Sequence, residues 1–207
     1  MKIELHCHTS VYSACAPASP RELFHAFIAH EYDAVYLTEH HRMWRPHELD
    51  EAREAFPELK IFPGVELNLL MEPLTHLLVL GATDTAYLRM TEPADVLQKA
   101  RDEGHLTVLA HPCRWEGGTF ILDRGLRPDA LEYRTCNQEF TQAVEAKELA
   151  QRLKLPIVNA GDVHTADMIG RYWIETDEPL EQPDDIRRIV LAGQYRCSSK
   201  DDLRFRR

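Results

Sequence analysis

An α/β fold with a closed or nearly closed, largely parallel sheet is what this sequence predicts, and three observations predict it. Short apolar runs alternate with segments of helical periodicity along the chain, which is the pattern of β/α units. Seven of those runs have strand character and most of their connections are helical, which favours a barrel over a doubly wound sheet. No repeat, low-complexity tract or linker interrupts the pattern, and 207 residues with 44% hydrophobic content suit one domain, residues 1–207.

The first strand is Ile3 to Cys7. Ser19-Pro20-Arg21-Glu22 then opens a helix with a serine cap, proline at its first position and glutamate three residues on, and Leu23, Phe24, Phe27 and Ile28 give it a buried face. Ala34 to Thr38 is the second strand, Pro46 to Phe56 a charged, exposed helix, and Lys60 to Leu70 the third strand. Glu72-Pro73-Leu74-Thr75 reads as a tight turn into a strand from His76 to Leu80. That connection is too short for a helical crossover, so the two strands are expected to form an antiparallel hairpin, with His76 at the same edge as the end of its partner.

Thr91-Glu92-Pro93 caps a helix that runs to Glu103, where Gly104 stops it. Leu106 to Ala110, Ala130 to Tyr133 and Ile157 to Ala160 complete the strands, with a helix from Glu139 to Leu153 between the last two and a final helix from Pro183 to Leu191.

The net charge of −10, from 34 acidic and 24 basic residues, excludes the basic excess of a non-specific nucleic-acid binder and argues against long duplex partners. Five scattered cysteines (Cys7, Cys15, Cys113, Cys136 and Cys197) with no C-x-x-C pair suggest neither a disulfide framework nor a thiolate zinc ribbon, and fit a reducing cytoplasm. The chain starts directly in a strand-like segment, and nowhere do about 18 apolar residues run together, so neither secretion nor a membrane partner is expected.

Chemistry concentrates at the strand ends. His6 and His8 alternate along a strand, so both imidazoles project from one face and can share an ion, or stand simply as two exposed histidines. Asp162-Val163-His164 repeats the arrangement, with Asp162 also readable as a turn or cap residue. Glu66 lies in an apolar run where an unpaired carboxylate is costly and a metal bridge would account for it. His111 ends a strongly apolar strand before Pro112, and is either a ligand or a core histidine bonded to a carbonyl. His40 closes the second strand between Glu39 and His41.

Taken in order, His6-x-His8, Thr38-Glu39-His40, Pro63-Gly64-Val65-Glu66, His76, Ala110-His111-Pro112 and Gly161-Asp162-Val163-His164 resemble the PHP (polymerase and histidinol phosphatase) superfamily over most of the chain. The resemblance implies a distorted (β/α)7 barrel with two or three divalent metal ions (zinc, manganese or iron) at its C-terminal mouth, and a metal-dependent phosphoric ester hydrolase. It implies that His6, His8, Glu66 and Asp162 hold one metal, that Glu66 bridges to a second bound by His76 and His111, and that His40 and His164 contribute to a third. Two positions depart from the family. Where it commonly carries an acidic residue or histidine after the H-x-H, Tyr12-Ser13-Ala14-Cys15 offers only Cys15 as a donor, and the usual Thr-Asp-His is here Thr38-Glu39-His40. Glu39 is expected to orient a histidine, and Glu132 matches a supporting glutamate of relatives.

The expected substrate is a small phosphomonoester, nucleotide or short oligonucleotide attacked by a metal-activated water, with Glu66, Asp162 and His164 at the chemistry. Arg114 and Arg171 are candidates to fix the phosphate, and each also fits a surface ion pair. The segment Arg114-Trp115-Glu116-Gly117-Gly118-Thr119-Phe120 suits a substrate loop. Two other classes use the same residues: an amidohydrolase-like metal enzyme, for which no strand-end lysine is in place, and a non-catalytic metal-binding regulatory domain.

Overall fold

A computed structural model describes residues 1–70 and 74–201, and it contains nine strands where seven were expected. The expected seven are β1 (Lys2–Cys7), β2 (Ala34–Leu37), β3 (Lys60–Leu70), β4 (Thr75–Leu80), β5 (Leu106–Leu109), β6 (Ala130–Arg134) and β7 (Ile157–Asn159). The additional β8 (Tyr172–Glu175) and β9 (Arg196–Ser199) are four residues each and carry charged or polar side chains. β9 lacks the apolar run by which a strand is recognised, whereas β8 has one in Tyr172-Trp173-Ile174, short enough to be passed over. The helices are α1 (Pro20–Ala29), α2 (Pro46–Ala55), α3 (Pro93–Glu103), α4 (Phe120–Asp123), α5 (Phe140–Leu153) and α6 (Asp185–Leu191). Helix α4 begins on the last residue of the expected substrate loop, and α6 starts two residues later than its sequence suggested. The Ser19 hydroxyl accepts from Glu22 N at 3.3 Å, and Gly104 adopts the left-handed conformation that ends α3.

The strands form one sheet in the order β7-β6-β5-β4-β3-β2-β1-β8-β9. β1, β2 and β3 run parallel, as do β5, β6 and β7. β4 is antiparallel to β3, as the short connection required, and of the tight turn assigned to residues 72–75, residues 72 and 73 lie outside the described residues. Because β4 is reversed, β5 is antiparallel to it although α3 intervenes.

The ends of the sheet meet at the mouth. Beyond β7 the chain reaches β1, where His8 N donates to Val163 O at 2.8 Å and Val163 N to His6 O at 2.9 Å. Lower down, the antiparallel β8 and β9 fill the seam: β8 pairs with β1, and Asn159 Nδ2 donates to Ser198 O at 3.0 Å. The result is a nearly closed barrel.

A bulge between Glu4 and Cys7 shifts the register of β1 against β2. Ile3 and Leu5 pack with Ala34, Tyr36, Leu78 and Val108 in one core cluster, while Cys7 packs with Val35, Leu37 and α1 in another. The extra residue re-aims the strand, so His6 and His8 join a polar cluster at the mouth. A third cluster, around Leu67, Val79, Val96 and Leu109, seats α3 against β3, β4 and β5.

Candidate metal centre

Glu4 supports the bulge that aims the two histidines. Its Oε1 accepts from Leu5 N and His6 N at 3.0 Å each and from Gly161 N at 2.7 Å, tying β1 to the end of β7. Burial pushes its carboxyl up to about 8 against the pull of those backbone bonds. Sequence reasoning passed over Glu4, and its one signal was a charge inside an otherwise apolar strand.

Gly161 sits against that carboxylate. A Cβ there would lie 2.6 Å from Glu4 Oε2 and 2.5 Å from Val163 Cγ2. The next residue, Asp162, has φ 48°, and His111, at the end of β5, has φ 29°. Both are left-handed conformations that a non-glycine residue adopts only when its surroundings enforce them.

Glu66 lies at the centre of the mouth. His76 Nδ1 and His111 Nε2 stand 2.7 and 3.2 Å from its Oε1, and His40 Nδ1, His8 Nε2 and His6 Nε2 stand 2.7, 3.3 and 3.5 Å from its Oε2. Asp162 Oδ1 is 3.4 Å from both His6 Nε2 and His8 Nε2 and 3.6 Å from His164 Nδ1. Eight of the residues singled out from sequence therefore meet: His6, His8, His40, Glu66, His76, His111, Asp162 and His164.

Their partners assign the imidazole tautomers. His6 Nδ1 donates to Glu132 Oε1 at 3.0 Å, and Glu132 Oε2 accepts from His111 N at 2.7 Å. His8 Nδ1 donates to Ser13 Oγ at 3.2 Å, and that hydroxyl donates to Glu39 Oε2 at 2.5 Å. Glu39 also accepts from Thr9 Oγ1 and from Trp44 Nε1. Ser13 and Trp44 had no sequence signal, since their role depends on folding two loops together. With both Nδ1 atoms protonated, the Nε2 lone pairs of His6 and His8 face each other 3.0 Å apart. Such an arrangement is repulsive unless a cation or proton lies between them, so the donors fit a metal ion.

Charge is arranged accordingly. Burial opposes charging of His6, but the carboxylates of Asp162, Glu132 and Glu66 overcome it and hold the imidazole well above its usual range. Burial likewise favours the neutral forms of Glu66 and Asp162, yet His6 and the neighbouring imidazoles hold both carboxyls well below the ordinary range. Burial lowers His76 and His164, which favours the neutral, lone-pair form.

Four sets of three donors bring their ligand atoms within 4.8 Å of one another: His6, His8 and Glu66; His6, His111 and Asp162; His40, Glu66 and His76; and His8, His40 and His164. The sets differ from the grouping implied by family resemblance in that His8 sits with His40 and His164, His40 also sits with Glu66 and His76, and His111 sits with His6 and Asp162 rather than with His76. The all-histidine set has no carboxylate. Cys15 is exposed and lines the cleft without joining any of the four sets.

The cleft above the cluster has a volume of about 190 Å³ and is lined by His40, His76, His111, Arg114, Trp115 and His164, among others. Trp115 meets His76 and His111 edge-on at 5.1 and 4.8 Å. The Arg114 guanidinium lies over Trp115 at 4.6 Å and 3.7 Å from Asp162 Oδ2. Arg171 is elsewhere: it is half exposed, pairs with Asp167 at 3.3 Å, and does not line the cleft.

The family profile PHP_C, described as PHP-associated, matches residues 144–195. No curated protein matches the chain. Among solved structures, a two-domain protein from Bacteroides vulgatus containing a predicted PHP-like metal-dependent phosphoesterase aligns with a TM-score of 0.68 at 18% identity, over 96% of this chain and 64% of that one. An amidohydrolase from Chromobacterium violaceum, solved with bound sulfate and no metal, aligns with a TM-score of 0.67 at 15% identity, over 98% of this chain and 100% of that one. A lesion-specific endonuclease from Pyrococcus furiosus gives 0.59 at 12% identity, over 95% of this chain and 57% of that one. The chain thus spans less than two thirds of the Bacteroides and Pyrococcus proteins, and at these identities the likeness is one of fold. The PHP-associated match covers about a quarter of the chain, and the barrel is shared with structures that include a predicted PHP-like metal-dependent phosphoesterase.

Proposed function

We propose that this chain is a metal-dependent phosphoesterase acting on a small phosphorylated substrate. The observation that carries the reading is the convergence of six imidazoles and two carboxylates on one point beneath Arg114. Mixed nitrogen and oxygen donors suit zinc, manganese or iron, and the four donor sets support two or three ions. Divalent ions bound there would supply positive charge for the phosphoryl oxygens and lower the pKa of water.

The chain's own groups do the rest. Glu132, and Ser13 backed by Glu39, hold His6 and His8 with Nε2 turned inward. Arg114 is placed to receive phosphate oxygens in a bidentate manner, and Trp115 walls the site against water. His164 lines the cleft beside the space a leaving oxygen would occupy, and is the candidate to hand that oxygen a proton. The limited cleft volume and the net charge of −10 favour small substrates over long duplexes. Five scattered cysteines with no C-x-x-C pair fit a reducing compartment such as the cytoplasm, and no described helix is long and apolar enough to cross a membrane.

The test is hydrolysis of p-nitrophenyl phosphate, bis-p-nitrophenyl phosphate and an anilide amide by protein loaded with manganese, zinc or iron. Phosphoester cleavage that falls at least a hundredfold in Glu66→Gln and Asp162→Asn is expected, on the order of a lost transition-state contact. Turnover of the amide alone, or of nothing by folded, metal-loaded protein, overturns the proposal.

A further inference from the structure

A second cavity, of about 280 Å³, opens beside the first turn of α5 and shares no lining residue with the metal cleft. Arg134, Thr135, Gln138, Phe140, Ala143 and Tyr172 line it, together with the carboxylates of Glu139 and Asp201. Three of these side chains are placed against their own preferences. Phe140 is 69% exposed although it is a large apolar ring. The Arg134 guanidinium lies over the Tyr133 and Phe140 rings at 5.2 and 6.0 Å and forms no ion pair among the described residues. Both amide atoms of Gln138 are shut off from solvent with no hydrogen-bond partner, a cost that native structures seldom carry without a reason.

We infer that this cavity is a ligand site for a nucleobase-like planar ring. An aromatic ring beside a guanidinium offers a stacking platform for a flat π system. A glutamine amide presents a donor and an acceptor side by side, which pairs with the donor–acceptor edge of a nucleobase. Its terminal torsion is soft, so the amide turns to a ligand readily. A purely apolar ligand would leave Gln138 and Arg134 unmatched.

The site does not depend on the metal chemistry, although the segment that forms its floor touches the metal cluster. Cys136 N donates to Gly161 O at 3.1 Å and Asn137 Nδ2 to Asp162 O at 2.8 Å.

The experiment is calorimetric titration of the full chain, freed of metal with a chelator, with adenosine, guanosine, cytidine and uridine, and with ribose as the comparator. At least one nucleoside is expected to bind saturably while ribose does not. Phe140→Ala and Gln138→Leu should each weaken that binding about five- to a hundredfold, the range of a lost base-stacking contact. Unchanged circular dichroism melts would show that the variants remain folded. Absence of saturable binding by all four nucleosides overturns the inference, and so does binding that both variants leave untouched. Because the protein is metal-free, neither result depends on whether the chain is a phosphoesterase.

Discussion

Glu132 and Gly161 shape the candidate metal-binding cluster without being offered as ligands, and each makes a separate prediction. The two oxygens of Glu132 are divided between His6 Nδ1 and His111 N, so one carboxylate sets the tautomer of one candidate ligand and the strained backbone of another. Glu132→Gln keeps the shape but puts an amide where two donors point. Metal affinity measured by competition with a chromogenic chelator is expected to fall about ten- to a hundredfold with little change in thermal stability. Unaltered affinity would show that His6 needs no such support. Gly161 is required for space. A methyl group there meets Glu4 Oε2 and Val163 Cγ2 well inside van der Waals distance, and neither neighbour has room to retreat, since Glu4 already holds three backbone amides. Gly161→Ala should cost roughly 1–3 kcal/mol in denaturant unfolding, the usual range for forced overpacking.

At the scale of elements, what the sequence revealed depended on how local each signal was. The β/α units, the serine and glycine caps and the β3–β4 hairpin were legible because periodicity and turn length are local properties. The candidate donors stood out for the same reason, each being a histidine or carboxylate within or just beyond an apolar strand run. Strands β8 and β9 were not: the apolar part of β8 is only Tyr172-Trp173-Ile174, and β9 is held by pairing with β8 and by the barrel seam rather than by apolar content. The bulge in β1 was also hidden: strict alternation would put His6 on the opposite face from Leu5, and only the paired neighbours show the slip. Helix α6 offers a test of local capping. Asp185 Oδ2 accepts from Glu181 N and Gln182 N at 2.9 and 2.8 Å, and the Gln182 amide in particular holds its carboxyl below the ordinary range. A depressed folded pKa stabilises above the unfolded value of about 4, and that contribution is lost as pH falls through the folded pKa. Asp185→Asn should therefore lower stability at pH 7 by roughly 0.5–1 kcal/mol, with the difference from wild type shrinking below pH ~4 in thermal melts.

For the whole molecule, the candidate metal centre is also placed to clasp the barrel shut. Its donors come from β1, β3, β4 and the segments beyond β2, β5 and β7, so ions held there would tie together strands from across the sheet. Without them, the mouth concentrates buried carboxylates and facing imidazole lone pairs whose mutual arrangement is favourable only around positive charge. Binding to the folded state alone adds about 2.7 kcal/mol when the free ion stands at a hundred times its dissociation constant. For a chain of this size that corresponds to a rise in melting temperature on the order of 5–10 °C. Chelation is expected to remove it, and readdition of manganese, zinc or iron to restore it, with elemental analysis of the restored protein giving two or three ions per chain. The same melts on His8→Ala should show a smaller metal-dependent rise, because that one substitution takes a donor from two of the four sets at once. A melting temperature that no metal shifts, in protein that elemental analysis finds empty, would mean that the cluster closes the barrel by hydrogen bonds alone and that the mouth is not a metal centre.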